Sequence, residues 1–108
     1  NSISLMTENQ EEQEKILENL KNNATRMTAE MMAEVVKNSK EQKEKTIAEA
    51  EQEYQERLKF AEMLKKDGSK ESEELANKII EEAERQRDEA IKAAEEMHEK
   101  VLKEIEKL

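Results

Sequence analysis

The chain has 108 residues with 19 basic and 28 acidic side chains, for a net charge of −9, and 34% of its residues are hydrophobic. Eleven of those are alanine; proline, cysteine and tryptophan are absent, and Gly68 is the single glycine. These counts exclude disulfide and thiolate metal chemistry, glycine-rich phosphate loops and the turns of a β-sandwich, and the negative charge opposes nucleic acid and anionic lipid, whose every phosphate needs a cation. One small domain over 1–108 is expected. No apolar run reaches the roughly 18 residues of a membrane span, and the acidic start lacks a signal peptide's basic and apolar regions. The chain opens at Asn1 rather than Met, as an excised or trimmed piece would. No localisation is readable beyond a soluble protein, cytoplasmic if natural. Low hydropathy is offset by cancelling charges and periodic apolar residues, which argues for a folded chain over a disordered one.

Residues 1–6 read as a frayed lead-in, because Thr7-Glu8-Asn9-Gln10 is a capping box that would start the first helix. Its apolar face runs through Ile16/Leu17, Leu20, Ala24, Met27, Met31/Met32 and Val35/Val36 in steps of three and four. Lys37 to Thr46 then contains no apolar residue. Two turn sites fit this pattern. Asn38-Ser39 offers a residue tolerant of left-handed backbone followed by the box Ser39-Lys40-Glu41-Gln42. Asn22-Asn23-Ala24-Thr25 offers similar chemistry, but with Arg26 in a first turn and Thr rather than Glu or Gln at position 28. Asn38 is favoured, giving helices of about 7–37, 40–66 and 70–108. The other site gives a short N-terminal helix and a long helical hairpin.

The second face continues through Ile47, Ala50, Tyr54, Leu58, Ala61, Met63 and Leu64. Lys65 and Lys66 suit a last turn, and Gly68 suits the left-handed residue after a helix. Ser69 is the expected N-cap of the last helix, with Glu71, Glu73 and Glu74 at its positive end and Lys100, Lys103 and Lys107 at its negative end. Ile80, Ile91 and Leu102 are spaced by 11, as are Ala83, Ala94 and Ile105. Three turns per 11 residues gives a straight or slightly right-handed stripe. Outward pairs such as Glu41–Lys45, Glu53–Arg57, Glu74–Lys78, Glu81–Arg85 and Glu96–Lys100 each add only about 0.2–0.5 kcal/mol. The expected fold is all-α, an antiparallel three-helix bundle around a lean core.

Candidate chemistry is sparse. Glu95-Glu96-Met97-His98 contains the Glu-x-x-His spacing of dimetal bundles, so Glu95 and His98 are the candidate metal ligands. A full site needs a second such motif and carboxylates from other helices, and His98 lies beside the face defined by Ala94, Met97 and Val101. No metal or cofactor is therefore expected. The serines sit where helices begin and read as caps. Catalytic serine or cysteine arrangements need a shielded, preorganised pocket, so no enzyme activity is expected. Asn23-Ala24-Thr25 fits the glycosylation triplet. The lysines at 37, 40, 43 and 45 alternate with glutamates as a solvated face does. Met27, Met31, Met32 and Met63 include a soft strip that, with Val35 and Val36, could receive a partner helix. The candidate partner-binding residues are Met27, Met31, Met32, Val35 and Val36.

The minimal Lys66-Asp67-Gly68-Ser69 loop, acidic first turn, basic last turn and outward ion pairs over 65–108 resemble computationally designed helical bundles. The last 40 residues are also similar to the alanine-rich, 11-residue-repeat coiled-coil stalks of rotary ATPases. Spectrin-type repeats are alike in length and helix count but carry a core tryptophan absent here. The expected role is a non-catalytic scaffold or protein-interaction module. The alternatives are a helix-in-groove binder using the Met/Val strip, and a stalk or adaptor fragment. Expected partners are a second copy or another helical protein, with no nucleic acid and no membrane.

Overall fold

The computed structural model describes residues 2–23 and 27–108, with side chains from Glu8 onward. It consists of three α-helices, α1 (Ser2–Asn22), α2 (Ala29–Lys65) and α3 (Lys70–Glu106), with no strand among the described residues. α2 and α3 form a long antiparallel hairpin and α1 lies against both, giving a rod of 63 × 16 × 16 Å. The rod exposes 7467 Å², where a compact monomer of its mass would expose about 6,200 Å². The bundle is thinly covered, and α1 is the reason.

Two boundaries differ from the sequence reading. Helix begins at Ser2 and runs straight through Thr7, because nothing from Ser2 to Met6 opposes a helix. The first turn is not at Asn38-Ser39, where α2 passes without interruption. α1 ends at Asn22, with Asn23 N bonded to Asn19 O, and α2 starts at an N-cap the sequence reading passed over. Thr28 has extended backbone and its side chain accepts from Met31 N at 3.2 Å. Ala24, Thr25 and Arg26 lie outside the described residues, so of the Asn23-Ala24-Thr25 triplet only Asn23 is seen, its side chain donating to Asn19 O. The short first helix and long hairpin are therefore the form adopted.

The second connection follows its local chemistry. Gly68 takes φ +77, and Ser69 caps α3 by accepting from Ser72 N at 3.1 Å. Ser72 in turn donates to Asp67 at 2.9 Å. Hydrogen bonds from Ser69 and Ser72 hold the Asp67 carboxyl below its usual range.

The core is mostly small. Ala50, Ala61, Ala76, Ala83 and Ala94 are buried, together with Leu20, Met97 and Val101. Ser39, Ala50 and Ala61 mark an 11-residue seam on α2, answered on α3 by Ala83 and Ala94. Alanine at the seam lets the two helices approach closely, so Ile80, Ile91 and Leu102 flank it half-buried rather than filling it. Midway along the hairpin, Arg87 stacks 4.1 Å from the Tyr54 ring centroid and Tyr54 donates to Glu84. Arg57 holds Glu53 at 3.1 Å, as its spacing suggests, and also reaches Gln86 across the seam. Arg85 pairs with Glu82 and Glu89 rather than with Glu81. These exposed pairs fix side chains more than they stabilise the fold.

Candidate functional site

α1 is held by a polar layer. Asn9 donates to Glu49 of α2, and Gln13, fully buried, donates to Ala94 O of α3 at 3.4 Å. The same layer contains Ser39, whose hydroxyl shares a 2.8 Å hydrogen bond with His98 Nδ1, and Thr46, which donates back to Gln42 O at 2.9 Å. The stretch 37–46, which lacks apolar residues, thus continues α2 through the three-helix section with Ser39 and Thr46 facing inward, rather than forming a turn. Ser39 is a buried interhelical contact, not a helix cap. Two amide oxygens, Gln13 Oε1 and Gln42 Oε1, are buried without a protein partner. Such groups cost about 1–3 kcal/mol each when unmatched, so α1 is docked with little to spare.

His98 is therefore tied to Ser39 rather than aimed at a metal. Glu95 is exposed, and among the described residues no three His, Cys, Asp or Glu side chains are grouped as an ion would require. Burial first, then Lys43 and Lys40, push the His98 pKa below its usual 6.5, with Glu99 and Glu44 opposing. A base with a depressed folded pKa favours folding above its unfolded pKa, and that contribution is lost as pH falls below about 6.5. The urea midpoint of the wild type should therefore drop between pH 7.5 and 5 relative to that of His98→Gln. Parallel pH profiles for the two proteins would contradict this placement of His98.

The bonds from Asn9 to Glu49 and from Gln13 to Ala94 set α1 antiparallel to α2 and parallel to α3. Ser2 lies seven residues before Asn9, about 10 Å at 1.5 Å per residue, level with Glu56 and Ala83. Beyond that level the hairpin stands alone. Residues 11 apart share a helix face, so the columns that line α1's groove can be followed outward. On α3, Met97 leads through Gln86 to Leu75, and Val101 through Ala90 to Ile79. On α2, Gln42 leads through Glu53 to Leu64, and Glu49 to Phe60. The α2 columns are polar under α1, the α3 columns pass from Met97 and Val101 through Gln86 and Ala90, and all four end in a large apolar side chain beyond the level of Ser2. Phe60 is 56% exposed and Leu75 50%, with Met63 at 67% on the adjoining edge. Arg57, Phe60, Lys78, Ile79 and Glu82 line an open groove of about 340 Å³.

Two other hollows differ in kind. One of about 10 Å³ between Ala50 and Ala83 is water-sized. Another, about 170 Å³, is rimmed by Lys21, Lys100, Lys103 and Lys107 around Leu17 and Glu104. Of the strip expected from sequence, Met31 is exposed at 46%, Met27 is half-buried just before α2, and Met32, Val35 and Val36 are half-buried in its first turns. That strip lies at the opposite end of the rod from Phe60 and Ile79. By sequence spacing Leu58, Ala61, Met63 and Leu64 share one face. In the fold Ala61 is buried and Met63 is exposed.

No protein family, curated protein or solved structure matches this chain. No helix of the described residues is long and apolar enough to cross a membrane.

Proposed function

We propose that the chain is a non-catalytic helical interaction module, and that its docking surface is the uncovered groove of the α2–α3 hairpin. The observation that carries this reading is the run of Phe60, Leu64, Leu75 and Ile79, two exposed and two half-buried, along the hairpin face beyond the level of Ser2. A groove built to pack one helix, with its apolar end left open, suits a second helix laid end to end with α1. Its apolar anchors would fall at i, i+3 or i+4, and i+7. Arg57, Lys78 and Glu82 at the margin offer both signs of charge to its flanks. The rest of the molecule supports a passive role: the hydroxyls of Thr28 and Ser69 cap helices and that of Ser39 pairs with His98. The 63 Å rod and its 11-residue seam also suit a spacer or stalk segment, with the groove as its attachment point.

Amphipathic helical peptides selected from a displayed library against the intact chain provide the test. Phe60→Glu should weaken the selected binders at least tenfold with circular dichroism unchanged, because a central buried aromatic anchor contributes about 2 kcal/mol or more. Binders indifferent to Phe60→Glu but lost on Met31→Glu would move the docking surface to the Met/Val strip.

A further inference from the structure

We infer that Asp67-Gly68, in the turn between α2 and α3, is a site of spontaneous backbone modification through a succinimide, and that Ser69 and Ser72 hold the reaction back. This stands apart from the docking reading. Gly68 is the single glycine of the chain, so Asp67 is the one aspartate or asparagine followed by a residue without a side chain. Any larger residue there would shield the amide nitrogen that has to reach the carboxyl carbon. Both residues are exposed, and a Cβ placed on Gly68 would meet no atom within 4 Å beyond its chain neighbours. Asp88, Asn38 and Asn77, by contrast, lie inside helices, where the following amide is committed to a carbonyl four residues back.

The chemistry needs only water. The Gly68 nitrogen gives up its proton and bonds to Asp67 Cγ, whose hydroxyl leaves with a proton as water, and a five-membered imide closes. Water then opens the ring. Breaking the bond from nitrogen to Cγ restores aspartate; breaking the bond to the Asp67 main-chain carbonyl leaves isoaspartate, with the chain rerouted through Cγ. In the folded turn neither reacting group is free. Gly68 N donates to Lys65 O at 3.1 Å, which keeps the amide proton in place. The Asp67 carboxyl accepts from Ser72 Oγ at 2.9 Å and from Ser69. Hydrogen bonds to a carboxylate favour the ionised form, and an ionised carboxylate has no hydroxyl to lose. The serines at the start of α3 therefore do a second job. Rerouting adds one backbone carbon between Lys66 and Ser69 and moves the carboxylate, so the Ser69 cap and the Ser72 bond are both displaced in the product.

Ageing the intact chain at neutral pH, folded and in concentrated urea, and locating isoaspartate by peptide mapping tests this. Isoaspartate should appear first at Asp67 in both conditions, on the order of tenfold more slowly in the folded chain, where the turn must open before it reacts. Ser72→Ala should raise the folded rate about fivefold, the equilibrium worth of one hydrogen bond, with helicity and the rate in urea unchanged. Ser72→Thr, which keeps the hydroxyl, should age like the wild type. Isoaspartate arising first at Asp88 or at an asparagine would overturn the site. Equal rates in the folded and unfolded chain, a Ser72→Ala variant that ages like the wild type, or a Ser72→Thr variant as fast as Ser72→Ala would each overturn the protection by the turn.

Discussion

Leu20→Ala is expected to lower stability by about 2–5 kcal/mol and to release α1 before the hairpin unfolds. Leu20 is 1% exposed and, among the described side chains of α1, is the one large apolar side chain that is fully buried. Its neighbours on that face are the buried Asn9 and Gln13 and the half-buried Ile16 and Leu17. The polar members contribute little net stability, since their water hydrogen bonds are exchanged for protein ones and Gln13 leaves one oxygen unmatched. Truncating Leu20 thus removes a large buried apolar contact of α1 and leaves a cavity between three helices. Urea unfolding followed by circular dichroism, with hydrogen exchange at the α1 amides, measures both effects. A loss below about 1 kcal/mol, or exchange that stays uniform over all three helices, would mean that α1 is held elsewhere.

Ala76→Leu tests the opposite end and the opposite sign of volume change. The register set by Ser39–His98 and Tyr54–Glu84 brings Ala76 level with Ala61, and both are fully buried. Three added carbons at that contact cannot be accommodated without spreading the helices, and such overpacking costs about 1–3 kcal/mol. Because α1 does not brace this section, the hairpin tip should splay, and helix binding at Phe60 and Ile79 should weaken with it. Thermal unfolding and peptide titration of the same variant provide the readouts. A stabilised protein would mean that the seam is loose, and that the partial exposure of Ile80, Ile91 and Leu102 has another cause.

The parts of this architecture legible in sequence are those governed by local chemistry. Gly68, the Ser69 cap and the charged ends of α3 determine the hairpin turn by themselves, and the 11-residue spacing of Ala83 and Ala94 appears directly as a buried seam. The first turn is different. A stretch without apolar residues suggests a loop, and Lys37–Thr46 is such a stretch. Its side chains are nevertheless used inside, where Ser39 meets His98 and Thr46 meets the Gln42 carbonyl. Periodicity alone cannot separate a turn from a buried polar layer, because the partners that satisfy the layer lie up to 81 residues away. The signal that could have separated them is Thr28, an N-cap with Glu30 in the following turn.

That one boundary also concealed the candidate site. With the turn at Asn38, the first helix would be long enough to cover most of the hairpin, and Phe60, Leu64, Leu75 and Ile79 would be ordinary core. With the turn after Asn22, Phe60 and Leu75 are exposed and Leu64 and Ile79 half-buried. The Met/Val strip is visible in sequence because its residues are adjacent, whereas the groove draws its residues from two helices, which no local motif encodes.

Amide hydrogen exchange of the chain, alone and saturated with a selected helical peptide, tests the docking reading most directly. Added protection should concentrate at residues 57–82, where the hairpin stands without α1, and the amides of α1 should exchange as before. Protection gained instead at residues 27–36, or α1 displaced from its polar layer with faster exchange at Asn9–Leu20, would contradict the account.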